Sequence, residues 1–279
     1  MTARSRIATF SSIAALLLCA LAGCGPRGEQ MLLATTTSVQ DSGLLDTLVP
    51  VFLERTGIRV RVVAVGSGAA LRMGADGNAD VLLTHAPEGE EALVASGAAL
   101  ARRPFMENHF VIAGPAEDPA NVRGAVSAAD AYRRIAASGA AYVSRGDDSG
   151  THRREKALLR EAGLGTEDGW PGFASSGSGM GGTLQVAGER RAYVLTDLGT
   201  FLAFARRVDL EALSERTPDL RNVYSVLRID PERFAGRINA EGAQRFEAFL
   251  LDPDTQRRIG AFGRERHGRP LFRPLHPQE

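Results

Sequence analysis

The sequence contains few of the residues on which metal centres, disulfide frameworks and catalytic triads depend. Both of its cysteines lie within the first 24 of 279 residues, and its five histidines form no His-Glu-x-x-His pattern. These counts exclude a disulfide-stapled domain and the common zinc motifs. A Gly-x-Ser-x-Gly nucleophile elbow is also missing from the sequence. We therefore expect no metal centre, no cofactor and no enzymatic activity.

The sequence also has no excess of positive or of negative charge. The 33 basic and 33 acidic residues give a formal net charge of zero. Nucleic-acid-binding proteins carry clustered positive charge, so we expect no nucleic-acid partner. About 250 residues after the N-terminal segment are enough for one large or two medium domains, and we expect a monomer.

The N-terminus has one apolar run, Ile13–Leu21, which is too short to span a bilayer. Two arginines precede this run, and the sequence Leu-Ala-Gly-Cys ends it at Cys24. The pattern predicts a signal peptide over residues 1–23. Its end resembles a bacterial lipobox, which implies that Cys24 is lipidated and that residues 24–30 are a tether. An ordinary signal peptide with an incidental cysteine is the alternative. Either way the protein is exported, and with the lipid it is a membrane-anchored lipoprotein facing the periplasm or the cell exterior.

Segments typical of strands and helices alternate after residue 30, which predicts an α/β fold with mostly parallel sheets. The predicted strands are Met31–Ala34, Ile58–Val65, Asp80–Leu83, Phe110–Ala113, Ala140–Val143, Arg191–Leu195 and Val223–Ile229. The clearest predicted helices are Ser127–Ala137, Thr151–Ala162, Thr183–Glu189, Ala240–Leu251 and Asp254–Phe262. Three glycines from Gly177 to Gly182 fit the dinucleotide pattern Gly-x-Gly-x-x-Gly. We expect no strand at Phe173–Gly177, and this argues against nucleotide binding.

Residues 144–152, Ser-Arg-Gly-Asp-Asp-Ser-Gly-Thr-His, carry the clearest chemical signal. They separate a predicted strand from a predicted helix, and the first N–H groups of a helix are free to bind an anion. Arg145 adds a planar fork of donors, while Ser149 and Thr151 add hydroxyl groups and Gly150 a backbone N–H. The run therefore predicts an oxyanion site, although Arg145 could instead form an ion pair with Asp147 or Asp148.

Two further polar turns follow predicted strands. Thr35-Thr36-Thr37-Ser38 offers hydroxyl groups that bind an anion or cap a helix, and we expect Thr37 and Ser38 to cap a helix starting near Ser42. Gly66-Ser67-Gly68 is either a simple turn or the opening of a helix, at which Ser67 donates hydrogen bonds.

These motifs together resemble the tungstate-binding proteins of ABC transporters, which are related to periplasmic phosphate-binding proteins. The resemblance implies a two-lobed periplasmic-binding-protein fold, with two crossing strands joining the lobes and a ligand cleft between them. A first lobe would comprise residues 31–109 and 199–279, and a second lobe residues 114–194. The crossings would lie near 109–115 and 195–199.

The resemblance also implies the ligand-binding residues. They are Thr36, Ser67, Arg145, Ser149, Gly150 and Thr151, with Thr37, His85 and Thr196 as further candidates. Related phosphate binders carry an aspartate at the position of His85, which accepts the proton of hydrogen phosphate. Tungstate and molybdate are fully deprotonated at neutral pH and need donors only. The absence of that carboxylate therefore favours them over phosphate.

The resulting hypothesis is a lipid-anchored binding protein that captures tungstate and delivers it to the permease and ATPase subunits of an ABC importer. Molybdate or another tetrahedral oxyanion is an alternative ligand. Two other classes stay open: a sensory lipoprotein that binds an anion without transporting it, and a lipid-anchored hydrolase using Ser149 and His152.

Overall fold

The computed structural model describes residues 29–165, 170–214 and 217–276. The predicted signal peptide, Cys24 and residues 25–28 of the predicted tether lie outside these ranges. Among the described residues, no helix is both long and apolar enough to cross a membrane.

The strands and helices alternate along most of the chain. The strands are β1 (Gln30–Thr36), β2 (Arg59–Val65), β3 (Val81–Thr84), β4 (Ala99–Gly114), β5 (Tyr142–Ser144), β6 (Phe173–Ser175), β7 (Val194–Asp197), β8 (Glu211–Ala212), β9 (Arg221–Ile229) and β10 (Arg273–Pro274). The helices are α1 (Thr37–Ser42), α2 (Leu44–Thr56), α3 (Ser67–Ala75), α4 (Pro87–Ala95), α5 (Ala128–Ser138), α6 (Gly150–Glu161), α7 (Met180–Glu189), α8 (Leu198–Phe204), α9 (Ala240–Leu251), α10 (Pro253–Ala261) and α11 (Arg264–His267). Short 3-10 turns lie at Val122–Gly124 and Pro218–Leu220.

The largest sheet is mixed rather than mostly parallel. Its strand order is β10-β4-β9-β3-β1-β2, and β7 and β8 also pair with β4. β1 pairs in parallel with β2 and β3, whereas every pairing of β4 and β9 is antiparallel. The prediction of mostly parallel sheets is wrong for these two strands, because β4 and β9 run past each other in opposite directions.

β4 joins two groups of packed elements. It pairs with β9 as far as His109 and with β7 from Phe110 onward. On one side of this change, apolar residues of β1, β3, α2 and α9 share a core with Phe52 and Phe246 at its centre. On the other side, α5, β5 and α6 enclose a separate core around Tyr132 and Tyr142. The molecule therefore has two lobes with a long strand in common.

After residue 199, where the sequence predicted a return to the first lobe, part of the chain still packs against the second lobe. β8 pairs with the end of β4, and Leu213 and Leu220 pack in the same cluster as Tyr132. These residues contact the second lobe, and the chain reaches the first lobe again where β9 begins. Leu213 and Leu220 therefore pack with the second lobe although they lie beyond the predicted boundary. α8 lies at the boundary, since Leu202 packs on clusters of both lobes.

The short strand β6 also departs from expectation. Phe173–Ser175 pairs in parallel with β5 to form a separate two-stranded sheet. The prediction of no strand at Phe173–Gly177 is therefore wrong. Only three residues pair, and a run this short has no recognisable periodicity.

Each predicted anion motif follows the carboxyl end of a strand and opens a helix. Thr36 ends β1 before α1, Ser67 opens α3 after β2, and the Arg145 loop joins β5 to α6. His85 follows β3 directly before α4. Open α/β sheets place ligands at such ends, so the fold positions these residues for a shared site.

Candidate functional site

The loop after β5 holds Arg145 in a fixed orientation. Only 3% of the Arg145 surface is exposed, and its Nη2 donates to Asp147 Oδ2 at 2.5 Å. The other carboxylate oxygen of Asp147 accepts from the backbone N–H of Ser149 at 3.2 Å. Asp147 therefore links the guanidinium to the start of α6. Asp148 pairs instead with Arg153 and Lys156.

The first turn of α6 supplies further donors. Ser149 is the N-cap, and its Oγ accepts from the backbone N–H of His152 at 3.2 Å. The hydroxyl hydrogen of Ser149 stays available, as do the N–H groups that begin a helix. Thr151 is buried in the same turn. The helix macrodipole adds positive potential at this point.

The residues directly after β6 support the loop through the backbone. Ser176 N–H donates to Ser144 O at 2.8 Å, and Gly177 N–H donates to Arg145 O at 2.9 Å. Gly177 has φ of +64°, a left-handed conformation that glycine adopts without strain. The glycine-rich segment therefore helps to fix the Arg145 loop from behind.

The first lobe contributes the hydroxyl groups at the start of α1. Thr36 is the N-cap, and its Oγ1 accepts from the Val39 N–H at 3.3 Å. The prediction that Thr37 and Ser38 cap a helix near Ser42 is wrong, because α1 begins at Thr37 and both residues lie inside it. Thr36 Oγ1 and Ser38 Oγ are 3.0 Å apart, so they share a hydrogen bond.

Ser67 is the first residue of α3 and is 1% exposed. The helix begins where the sequence predicted, with Gly66 as an N-cap that has no side chain. We call Ser67 Oγ, Arg145 Nε and Thr151 Oγ1 the open donors, because each is buried and has no hydrogen-bond partner among the described residues. Burying a donor without a partner is costly, which is typical of a group held ready for a ligand.

His85 is fixed by protein groups at both ring nitrogens. Nδ1 lies 2.9 Å from Asn222 Oδ1, and Nε2 lies 3.2 Å from Ser38 Oγ. Burial lowers the pKa of His85, partly countered by the negative charges of Asp197 and Glu90. The ring is therefore neutral at pH 7, with Nδ1–H donating to Asn222 and Nε2 accepting from the Ser38 hydroxyl.

The motifs of the two lobes meet at Gly150. A Cβ built on Gly150 would lie 2.8 Å from Ser67 Oγ and 3.0 Å from His85 Cε1. Ser67 and His85 belong to the first lobe and Gly150 to the second. The structure therefore brings together the residues predicted from four separate stretches of the sequence.

A chain of buried amide and carboxylate groups extends from His85 towards β4 and α8. Asn222 Nδ2 donates to Asn108 Oδ1 at 2.8 Å and to Tyr224 Oη at 2.9 Å. Asn108 Nδ2 in turn lies 3.4 Å from Asp197 Oδ1, which caps α8 by accepting from Thr200 N–H. Sequence analysis missed Asn108 and Asn222, since each lies inside a long strand without a motif.

Two of the further candidates have partly structural roles. Thr37 is half-buried at the first position of α1. Thr196 is fully buried in β7, and its Oγ1 donates to the neighbouring Asp197 carbonyl at 3.2 Å. Asp197 Oδ2 is a buried carboxylate oxygen without a hydrogen-bond partner within the described ranges. Its charge acts on His85, and the sequence analysis did not identify this acidic group.

Glu155 lies in α6 behind the loop and is 1% exposed. Burial raises its pKa to about 7, although Ser144, Tyr142 and the Arg145 backbone favour the charged form. The carboxyl group is thus close to its titration point at neutral pH.

A crevice lies beside the site between the lobes, but none of the open donors lines it. This crevice of about 490 Å³ is bordered by His85, Gly150, Arg153 and Asn222. A larger cavity of about 920 Å³ is lined by residues of β4, α10, α11 and β10, including Glu107 and Arg273. The predicted anion-binding residues do not line it, so its size does not mark it as the functional site. In the part of the chain described, no three His, Cys, Asp or Glu residues cluster as metal ligands.

Comparison with known proteins identifies the family. Residues 24–254 match the model of the PBP superfamily domain. The tungstate-binding protein TupA of Peptoclostridium acidaminophilum is 41% identical, in an alignment covering 96% of this chain and 98% of that protein.

Two solved structures agree with this match. The tungstate-binding protein TupA of Desulfovibrio alaskensis G20 is 40% identical with a TM-score of 0.77, covering 88% of this chain and 98% of its own. The tungstate ABC transporter structure from Geobacter sulfurreducens is 39% identical with a TM-score of 0.76, covering 84% and 99%. The chain therefore belongs to the family of tungstate-binding proteins within the PBP superfamily. The predicted fold is confirmed, and so is the prediction of a binding protein rather than an enzyme.

Proposed function

We propose that this member of the tungstate-binding family captures tungstate outside the cytoplasm and delivers it to the permease and ATPase subunits of an ABC importer. The observation that carries this proposal is the set of open donors. Ser67 comes from the first lobe, and Arg145 and Thr151 come from the second. A tetrahedral oxyanion between the lobes would accept hydrogen bonds from all three.

The chemistry of the site favours a fully deprotonated anion. Tungstate at neutral pH carries two negative charges and four acceptor oxygens, and it has no proton to donate. His85 Nε2 already accepts from Ser38, so it does not need a proton from the ligand. Molybdate has nearly the same size and charge, and these contacts do not separate the two anions.

The proposed binding set is Thr36, Ser67, Arg145, Ser149, Gly150 and Thr151, in which the Thr36 hydroxyl would turn from Ser38 to the bound anion. Arg145 supplies the full positive charge, while the N-termini of α1, α3 and α6 add partial charges. The ligand bridges two lobes that share β4, so binding favours the arrangement in which the lobes are in contact. A hinge motion about β4 and the start of β9 would let the anion enter and leave.

Membrane attachment is a separate part of the proposal. The sequence Leu21-Ala22-Gly23-Cys24 supports cleavage before Cys24 and lipidation of that cysteine, which would keep the protein at the outer surface of a membrane. Several acyl chains are needed for a stable anchor. We expect Cys24→Ser to release the protein from the membrane fraction of expressing cells. Unchanged membrane association of that variant would contradict the proposed lipid anchor.

The experiment that tests the binding function is thermal unfolding of the purified protein with tungstate, molybdate, sulfate or phosphate. A ligand at about one hundred times its Kd stabilises the folded state by roughly 2.7 kcal/mol. We expect a large increase in Tm with tungstate and little with sulfate or phosphate. An equal increase with molybdate would widen the ligand assignment to both metal oxyanions. An increase with phosphate only would point to Asp197 Oδ2 as a proton acceptor and would contradict the proposal.

A further inference from the structure

Gly150 lies at a point where the two lobes approach each other closely. Its missing side chain would be 2.8 Å from Ser67 Oγ, 3.0 Å from His85 Cε1 and 3.3 Å from His85 Nδ1. Real Cβ contacts under 3.0 Å essentially do not occur. All three atoms belong to the first lobe, so a side chain at Gly150 would collide across the cleft and not within its own lobe.

The His85 ring, which faces Gly150, has little freedom to move away. His85 is bonded at both ring nitrogens by Asn222 and Ser38, and its ring packs against Tyr224 at a centroid distance of 4.9 Å. Ser67 lies in the first turn of α3 and is buried. The Ser67 hydroxyl has no hydrogen-bond partner in the described structure and can rotate away, whereas the His85 ring cannot, so the collision with His85 would be relieved by separating the lobes.

The backbone of Gly150 does not itself require glycine. The residue opens α6, and it is not among the glycines with positive φ. Alanine favours helix more than glycine by roughly 1 kcal/mol in a helix interior. A substitution here would also keep the backbone N–H donor. The need for glycine therefore comes from the opposite lobe.

We propose that Gly150 is the residue that sets how far the lobes close, and thereby the size of oxyanion that the open donors can reach. This inference rests on the proposed oxyanion-binding function. The lobes stop where the start of α6 touches Ser67 and His85, and this contact fixes the gap between Ser67 Oγ and the donors of the second lobe. An anion smaller than this gap cannot contact both lobes, since closer approach is blocked. We therefore expect sulfate, whose oxygens lie closer to the central atom than those of tungstate, to bind more weakly than tungstate.

Gly68 offers a matched control across the same cleft. A Cβ at Gly68 would lie 2.8 Å from Arg153 Nη2 and 3.6 Å from Arg72 Nη1, which are the tips of long flexible side chains. Gly68 also lies in the first turn of a helix. Gly68→Ala therefore repeats the substitution and the inter-lobe position, but its neighbour is the end of Arg153, whose ion pair with Asp148 is solvent-exposed and can shift.

The test is calorimetric titration of tungstate and sulfate into the purified wild-type, Gly150→Ala and Gly68→Ala proteins, with small-angle X-ray scattering in saturating tungstate. We expect Gly150→Ala to weaken tungstate binding at least tenfold and to stay more expanded than the wild type. Its Tm without ligand should be unchanged or higher. Gly68→Ala should bind tungstate within about threefold of the wild type.

Three results would overturn the inference. The Gly150→Ala protein could bind tungstate with wild-type affinity, or its loss of affinity could be no larger than that of Gly68→Ala. It could also be less stable than the wild type without ligand, which would indicate an ordinary packing role. If the wild-type protein binds neither tungstate nor another oxyanion, the proposed function fails first and the inference fails with it. If the wild type binds tungstate and Gly150→Ala binds it with the same affinity, only the proposed role of Gly150 in limiting lobe closure is rejected.

Discussion

The two faces of the cleft differ in what they offer to an anion. The second lobe presents a charged loop, in which Asp147 holds Arg145 and the start of α6 together by short bonds within seven residues. The first lobe presents uncharged hydroxyl groups, of which Thr36 and Ser38 are bonded to each other and onward to His85. Ser67 is the exception in the first lobe, since its hydroxyl is one of the open donors.

This difference separates two tasks. A loop organised by its own contacts can attract an anion before the lobes meet, because its charge and helix N-terminus are already in place. A network that reaches Asn222 on β9 and Asn108 on β4 is bonded to the strands that connect the lobes. The second lobe is thus suited to bind the anion first. The first lobe is suited to couple ligand binding to the relative position of the two lobes.

The largest effect should come from removing the charge of the second lobe. Arg145→Ala should weaken tungstate binding by on the order of a hundredfold or more, since losing one partner of a buried charge pair costs about 2–5 kcal/mol. Arg145→Lys keeps the charge but loses the planar fork, so we expect an intermediate loss. Titration calorimetry measures both. A nearly unchanged tungstate affinity in Arg145→Ala would show that the Arg145 loop is not the part of the second lobe that binds the anion.

A smaller loss should follow from removing the open donor of the first lobe. Ser67→Ala deletes one hydrogen bond to a charged ligand, which is worth about 1.5–3 kcal/mol, or roughly tenfold or more in Kd. The Tm without ligand should not fall, because Ser67 Oγ has no hydrogen-bond partner to lose within the described structure.

Ser225→Ala is the matched control for this variant. Ser225 Oγ is equally buried and has no partner in the described residues, but Ser225 lies on the opposite face of β9 from Tyr224, which contacts the His85 network. We expect its tungstate affinity to be unchanged. Equal losses in the two variants would mean that Ser67 acts through general stability rather than through the ligand.

The last effect concerns the stability of the second lobe rather than ligand binding, and it depends on pH. Folding raises the pKa of Glu155 from 4.5 to about 7, so the folded protein binds more protons and loses stability as pH rises from about 4.5 to 7. Glu155→Gln mimics the protonated form. Its Tm should match the wild type at pH 4.5 and exceed it at pH 8, by an amount corresponding to at most about 3 kcal/mol. A wild-type protein that is more stable than the variant at pH 8 would contradict this assignment.

The sequence predicted the second-lobe face better than the first. Arg145, Ser149 and Thr151 lie within seven residues, so their spacing reveals a loop before a helix. The His85 network joins positions 137 and 114 residues apart, and no local pattern encodes such pairs. Likewise, only Phe110–Ala113 of β4 was predicted, because Arg102, Arg103 and Glu107 interrupt the apolar pattern of its first part.

Several other elements were predicted closely from local signals. The helix Ala240–Leu251 has the predicted bounds, and its N-cap Asn239 accepts from Gly242 N–H. Gly57 ends α2 with φ of +73°, a conformation that suits glycine at a helix end. The return of the chain after residue 199 could not be predicted in this way, since it depends on β8 pairing with a strand about one hundred residues earlier.

The measurement that tests the central claim most directly is a crystal structure of the protein with tungstate, with the metal located by anomalous scattering. The account predicts one tungsten atom between the lobes, with its oxygens within hydrogen-bonding distance of Ser67 Oγ, Arg145 Nε and Thr151 Oγ1. A tungsten atom that contacts one lobe only, or that lies in the crevice beside Arg153 and Arg160, would contradict it.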